Sequence, residues 1–578
     1  MRRGGLAQSP VPENEGTTIV ESRSPVPRPL PEGYYVENFQ LLLDTVQDRY
    51  DDLLHPEERA FRLDFVGFSE DARRLFVRLI SRKGPCFRRD RLDYREIDLD
   101  RAVAELEEAS FLDRASELEA ADLLQLMLRP ELAELSRELT PETFRSTARR
   151  DELLLGLEES VPGEILVAEV RRRLDILRPL RLEHVLLYRL LFFGNLYQDM
   201  SEFVIRDLGV MRYEDYSLSR ELRRFPDRQA LDDVLQLRLL RQQTAVHLYQ
   251  GEVQEALTLA HHVRDRLDQW HPQGRRHADR VLVRVARQLE RESGLDQALD
   301  LALELYEKAE RPPARERRAR VLDRLGRIRE ACELCDAMVA EPRDETERIF
   351  APRFAHRLRR SLGEEKAPWP RTRRPEVELT LEPDPSLQVE ALVLKDLARQ
   401  GRRAFFSENW LWKSLFGLAF WDIVFAPVAG AFQHPFQLGP LDLHTPDFRA
   451  ARSEAVADRL EELRSLEDLT APLHEVYRRK EGVANSLVSW HEGSWEQIEL
   501  ALGRVRGVHL AQICDRLSRD LRRYRRGLPD LFVVRDEDPG FELWEIKGPG
   551  DQLRPEQKGW IDFLNSNQLP ARVVKVRW

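Results

Sequence analysis

Two runs of strand-forming residues near the C-terminus, Leu531-Phe-Val-Val534 and Phe541-Glu-Leu-Trp-Glu-Ile-Lys547, constrain this chain more than any other stretch. Both are rich in β-branched and aromatic residues, and the polar turn between them ends in Pro539-Gly540, a pattern that predicts a β-hairpin. Strand side chains alternate between faces, so Glu545 and Lys547 share one. With Asp530 at the head of the first strand turned the same way, two carboxylates and one ammonium converge. Oxygen donors of this kind suit Mg²⁺ or Mn²⁺, one ion or two. A lysine beside them can orient a water or steady charge on a phosphate. The competing expectation is a surface hairpin with a solvated ion pair.

At 578 residues the chain has room for about four domains. A mean hydropathy of −0.52 predicts soluble domains. The apolar stretch Leu411 to Phe432 contains Lys413, Asp422 and Pro427, so it reads as buried core and not as a membrane span. Four cysteines are too few for a disulfide framework and fit a reducing cytosol. The net charge of −11 argues against a general polyanion binder, so any nucleic-acid contact must come from local basic faces.

In chain order, residues 1–33 are rich in Pro, Gly and Ser and read as a disordered leader. Residues 34–118 are helix-patterned, with Tyr35, Phe39, Leu42, Val46 and Tyr50 on one stripe. A second helix there presents Arg78, Arg82 and Lys83, either a solvated edge or a phosphate-contacting surface. Residues 119–160 hold two leucine-rich helices, with Arg149 and Arg150 before the second, and resemble a SAP-like DNA-binding motif. Residues 161–228 are expected to be a helical connector.

Residues 229–365 contain an internal repeat. Gly251-Glu-Val-Gln-Glu-Ala-Leu-Thr-Leu-Ala260 recurs from Gly294 and again from Gly326. The spacing is close to that of tetratricopeptide helix pairs, in which small residues let helices approach. Cys335 occupies such a small-residue position, so Cys332 and Cys335 read as core and not as a metal pair. The Pro-rich, charged residues 366–385 read as a linker, and 386–578 as the final domain.

Pro529-Asp530 followed by Glu545-Ile-Lys547 is the motif of PD-(D/E)xK nucleases, and Gly548-Pro-Gly-Asp551, Gln557, Trp560 and the terminal Ala571–Trp578 strand resemble the VRR-NUC subfamily. Such a nuclease draws a further acid from a helix, for which Glu390 in Val389-Glu-Ala-Leu-Val-Leu394 is the candidate. Arg516, Arg519 and Arg523 fall on one helix face just before Gly527 and read as a solvated surface or as a track for the scissile strand. Taken with Tyr34-Tyr-Val-Glu-Asn-Phe39, Leu415-Phe-Gly-Leu418 and Trp421-Asp-Ile-Val-Phe425, the ordered motifs resemble the Fanconi-associated nuclease family in a bacterial-type version.

That resemblance implies a mainly α multidomain chain with a C-terminal α/β restriction-endonuclease-like domain. It implies a metal-dependent 5′-flap endonuclease and 5′-to-3′ exonuclease acting on branched or crosslinked DNA in repair. Glu390, Asp530, Glu545 and the Ile546 carbonyl would be metal ligands, Lys547 catalytic, and Gln557 a DNA contact. No Cys/His cluster precedes Cys86, so a ubiquitin-binding zinc finger is not expected. A protein partner on the repeats is compatible with this reading, as is a cytoplasmic, nucleoid-associated location. The alternatives are a Holliday-junction resolvase and a non-catalytic junction scaffold.

Overall fold

The structure, a computed structural model, describes residues 30–82, 84–114, 118–196, 198, 200–203, 211–292, 296–370 and 372–578. Most of the expected leader, Lys83 and Gly294 lie outside them. The chain forms two compact units, one spanning Val26–Val210 and one that contains Met211–Trp578.

In the first unit, helices Tyr34–Tyr50, Pro56–Gly67, Glu70–Ile80 and Leu99–Glu108 enclose an aromatic core. Phe61 stacks on Phe111 at 5.3 Å and Phe39 meets Phe65 edge-on at 5.0 Å. Helices Arg129–Leu139 and Arg150–Ser160 bury Leu132, Leu135, Leu153 and Leu157 in a separate leucine core. The expected helical connector is only partly helical. It contributes β3 (Ile176–Pro179), which pairs with β1 (Phe87–Arg88) and β2 (Leu112–Asp113) in a small antiparallel sheet. Residues from Met211 onward leave this unit altogether.

Those residues run into the second unit, where Tyr216 stacks on Phe432 at 4.0 Å and Glu214 holds Lys480 at 2.6 Å and the Trp421 indole N–H at 2.8 Å. The repeats follow as antiparallel helix pairs. The recurring motif forms the second helix of each pair, Val253–Arg264, Asp296–Lys308 and Ile328–Ala340. Ala256, Ala260, Ala302, Ala331 and Cys335 sit fully buried at the small positions, which permits the close packing. Burial pushes the Cys335 thiol up to about 12, as befits a core residue.

The last domain is a five-stranded sheet of order β4-β8-β7-β6-β5: Glu376–Thr380, Ala571–Arg577, Phe541–Lys547, Leu531–Val534 and Ala404–Phe406. β7 and β6 form the expected hairpin, and β8 lies parallel to β7 after the crossover helix Pro555–Ser566. One face packs Phe532, Phe541 and Leu543 against Trp560 and Ile561. The other packs Leu531, Val533, Trp544 and Ile546 against Val393 and Leu397 of helix Val389–Arg399. The expected linker is corrected here, because Glu376–Thr380 is an edge strand running parallel to β8. It is exposed and charged, and Glu376 pairs with Lys575 at 2.7 Å, so composition hid its role. Helices Leu411–Ala419 and Trp421–Val424 are buried in this domain, and among the described residues no helix is long and apolar enough to cross a membrane.

The approach to β6 is held tightly. The Trp560 indole N–H donates to the carbonyls of Tyr524 and Arg526, each at 3.1 Å. Gly527 then turns with φ +80°, and a Cβ there would lie 2.8 Å from the Glu556 carbonyl carbon and 2.9 Å from the Gln557 nitrogen. A side chain at this point meets both left-handed strain and backbone overlap. Gly527→Ala is expected to destabilise the chain by roughly 2–4 kcal/mol, measured by urea unfolding; a cost within error of zero would contradict this packing.

Candidate active site

The β6–β7 register pairs Leu531 with Trp544 and Phe532 with Leu543, so continuing it by one residue sets Asp530 opposite Glu545. Asp530, Phe532, Leu543, Glu545 and Lys547 therefore share one face, as the strand period requires. Asp530 is buried, and its Oδ2 accepts the Ile546 backbone N–H at 2.6 Å. Glu545 is fully buried. Lys547 Nζ stands 2.7 Å from Glu545 Oε1, a charge pair, yet neither Glu545 oxygen has an aligned hydrogen-bond donor.

Burial pushes both carboxyls well above the ordinary carboxylate range. For Asp530 the Ile546 N–H and Lys547 oppose this while Glu408 and Glu390 reinforce it; for Glu545, Asp530 reinforces it and Lys547 opposes it. By contrast Glu542, on the opposite face of the same strand and equally buried, is served by Arg572 and by the Trp544 N–H at 3.0 Å. The sheet satisfies one buried acid and leaves the other short of donors.

Glu390 lies in the first turn of helix Val389–Arg399, half-buried, where it raises the proton affinity of Asp530 and Glu408. Glu408 was not anticipated from the sequence. Its backbone N–H and that of Ser407 donate to the Asp530 carbonyl at 3.2 and 2.7 Å, which hangs the loop after β5 on the same residue. Burial raises its carboxyl, and Glu390 adds to this while Lys547 and Arg554 oppose it. Lys413, on the helix that follows, is pulled below the usual lysine value by burial and Arg525 and held up by Glu408.

Among the described residues no three acidic, histidine or cysteine side chains already form a metal cage. Asp530 is turned to the Ile546 amide and Glu545 to Lys547. Even so, a hard-oxygen donor set with two orphaned buried oxygens fits a divalent cation such as Mg²⁺ or Mn²⁺. The Ile546 carbonyl is the expected further donor; its strand pairs on both sides.

The basic residues are deployed differently from the sequence reading. Arg516 is not on a strand track, because its guanidinium is buried among Tyr524, Trp560 and Phe563 at 4.3, 4.8 and 4.3 Å and donates to the Gly559 carbonyl at 3.1 Å. Arg519 pairs with Asp515, and Arg523 donates to Thr346 at 3.3 Å on the last repeat helix, Glu345–Ser361. Tyr524 reinforces that junction by donating to Glu345 at 2.6 Å. The expected single helix face is corrected here: the helix Gly507–Arg519 breaks at Asp520, where the backbone turns extended, so Arg523 stands on the separate short helix Leu521–Tyr524, and the arginines meet protein.

Gln557 Oε1 accepts the Arg554 N–H at 2.9 Å, so it caps the helix start. In the first unit Arg78 stacks on Tyr35 at 4.2 Å and pairs with Glu96 at 3.1 Å, and Arg82 donates to Tyr94 at 3.0 Å. Arg150 clamps Gln125 through its carbonyl at 2.8 Å, whereas Arg149 is exposed.

Residues 33–113 match the family model described as FAN1, HTH domain, and residues 465–578 match the VRR-NUC domain. The Fanconi-associated nuclease 1 homolog of Pseudomonas aeruginosa is 34% identical over 582 residues, covering 99% of this chain and 98% of that one. The Arabidopsis thaliana homolog is 26% identical over 94% of this chain and 67% of its own. A crystal structure of paFAN1 bound to 5′-flap DNA with a two-nucleotide flap and a gap superposes with a TM-score of 0.80 at 32% identity, over 95% of this chain and 99% of that one. With that likeness along almost its whole length, the chain belongs to the Fanconi-associated nuclease family.

Proposed function

We propose that this nuclease cuts branched DNA, incising a 5′ flap near its junction and trimming 5′ to 3′, in the repair of interstrand crosslinks. The observation that carries the proposal is Asp530 facing Glu545 with Lys547 beside them, in a chain whose structural neighbour paFAN1 is bound to 5′-flap DNA. The substrate would be met in the cytoplasm, at the nucleoid. The helical modules at 34–118 and 119–160 would hold the duplex arms.

Asp530, Glu545, Glu390, Glu408 and the Ile546 carbonyl would hold Mg²⁺ or Mn²⁺, which when bound supplies Lewis-acid assistance to phosphodiester hydrolysis. The carboxylates supply the negative charge that retains the cation beside a polyanionic substrate. Lys547, tied to Glu545 across one strand period, orients the attacking water and stabilises charge on the phosphate oxygens. Lys413, near Glu408 and Arg525, adds positive charge there; His444 is lowered to about 4 by burial and by Arg525, Arg522 and Lys413, so it is neutral among them. Such contacts bind the phosphate backbone without reading bases.

Because the folded-state affinity of Glu545 for its proton exceeds the unfolded value, ionisation costs the metal-free fold. Stability from this group is present at acid pH and is lost as pH rises above the ordinary carboxylate range. Glu545→Gln is therefore expected to raise Tm in chelator at neutral pH, and saturating Mn²⁺ to raise Tm of the wild type but not of this variant. Equal Mn²⁺ shifts in both proteins would contradict the ligand assignment.

On a 5′-phosphorylated flap duplex, Asp530→Ala is expected to abolish metal-dependent cleavage. Lys547→Met should slow it by roughly 10²–10³-fold while DNA affinity stays within a few-fold. Full cleavage by Asp530→Ala would sink the proposal.

A further inference from the structure

The repeats hold a concentration of positive charge on elements other than the acid-bearing sheet. Helix Arg275–Leu289 crosses helix Arg228–Gln250 at Gly274, where a Cβ would come within 2.8 Å of Leu237 and 3.7 Å of the Asp233 Cβ. Just beyond that crossing stand Arg241 on one helix and Arg280 and Arg284 on the other. Arg280 and Arg284, four residues apart, share a face and are exposed; Arg241 is half-buried beside them. None of the three makes an ion pair or a side-chain hydrogen bond among the described residues.

Their proximity is registered electrostatically. Burial pulls Arg241 below the usual arginine value, and Arg280 and Arg284 pull it farther. At the centre lies His277, 2% exposed, with neither ring nitrogen hydrogen-bonded. Burial lowers it to about 3, and Arg238, Arg241, Arg280 and Arg224 hold it there, so it is neutral.

The local acids are already committed. Asp232 pairs with Arg228 at 2.9 Å, and Asp233 accepts the His271 N–H at 2.6 Å. Asp279 accepts the N–H groups of Glu310 and Arg311, each at 3.2 Å. Elsewhere in the repeats arginines find carboxylates, as Arg357 does with Asp323 and Arg359 with Asp336. A chain of net charge −11 thus maintains mutual repulsion among three arginines at one place, and an external polyanion would relieve it.

We propose that Arg241, Arg280 and Arg284 form a phosphate-gripping surface on the repeats that holds the backbone of a DNA duplex arm. This rests on the branched-DNA reading above and adds a second contact site to it. The guanidinium fork matches phosphate geometry, and contacts of this kind give affinity and position without sequence preference.

The test is the triple variant Arg241→Gln, Arg280→Gln, Arg284→Gln, with flap-DNA affinity followed by fluorescence anisotropy across a salt series in chelator. The slope of log affinity against log salt is expected to fall by about 2–3. Affinity near physiological salt should drop at least about tenfold. Tm should not fall, because no ion pair is lost, and the cleavage rate at saturating DNA should be unchanged. An unchanged slope in a folded variant overturns the inference and leaves the patch to an acidic protein surface. A reduced slope in the triple variant, with a wild type that never cleaves, sustains this surface and removes the nuclease reading, so the two fail separately.

Discussion

Everything at the candidate site depends on two carboxyl groups buried opposite each other across the β6–β7 ladder. Like charges in a low-dielectric interior repel, and each alone would be costly to ionise there. Their cost is offset by apolar burial at neighbouring positions of the same two strands, with Phe532 and Leu543 on one face and Trp544 and Ile546 on the other. One Asp530 oxygen is satisfied by the Ile546 amide, while Glu545 has only the charge of Lys547. That imbalance is what a divalent cation would correct. The same sheet gives Glu542 its full complement of donors, so the shortage is local to the acid pair.

Much of this was legible in the sequence, for identifiable reasons. Period-two alternation placed Glu545 and Lys547 on one face, and a hairpin register carried Asp530 opposite Glu545. The repeated small-x-x-x-small spacing (Ala256/Ala260, Ala298/Ala302, Ala331/Cys335) announced helix pairs, because only small residues fit where two helix backbones approach. Glu408 was illegible because Ser407-Glu-Asn-Trp410 has no periodicity; a long-range bond from its amide to the Asp530 carbonyl sets its position. The strand Glu376–Thr380 was hidden for a related reason, since an exposed edge needs charges and not apolar alternation.

Arg516, Arg519 and Arg523 show the limit of periodicity more sharply. Spacing states which side chains share a face and is silent on what that face meets. Here the helix breaks at Asp520. Arg516 packs on Tyr524 and Trp560, Arg519 pairs with Asp515 of its own helix, and Arg523 on the next helix reaches Thr346 of the last repeat helix, while the Trp560 indole fixes the turn into Gly527. The positions of Asp530 and of the repeats are thus coupled through one aromatic–arginine cluster. Arginines whose carboxylates are absent, rather than arginines at regular spacing, mark the surfaces left for an anionic partner.

The most direct test of the central claim is anomalous diffraction from crystals grown with Mn²⁺. The account predicts a peak in contact with both Asp530 and Glu545, with Lys547 turned away from the Glu545 oxygen it now faces. A Mn²⁺ peak confined to other carboxylates, with the Asp530–Ile546 and Glu545–Lys547 contacts intact, would contradict it.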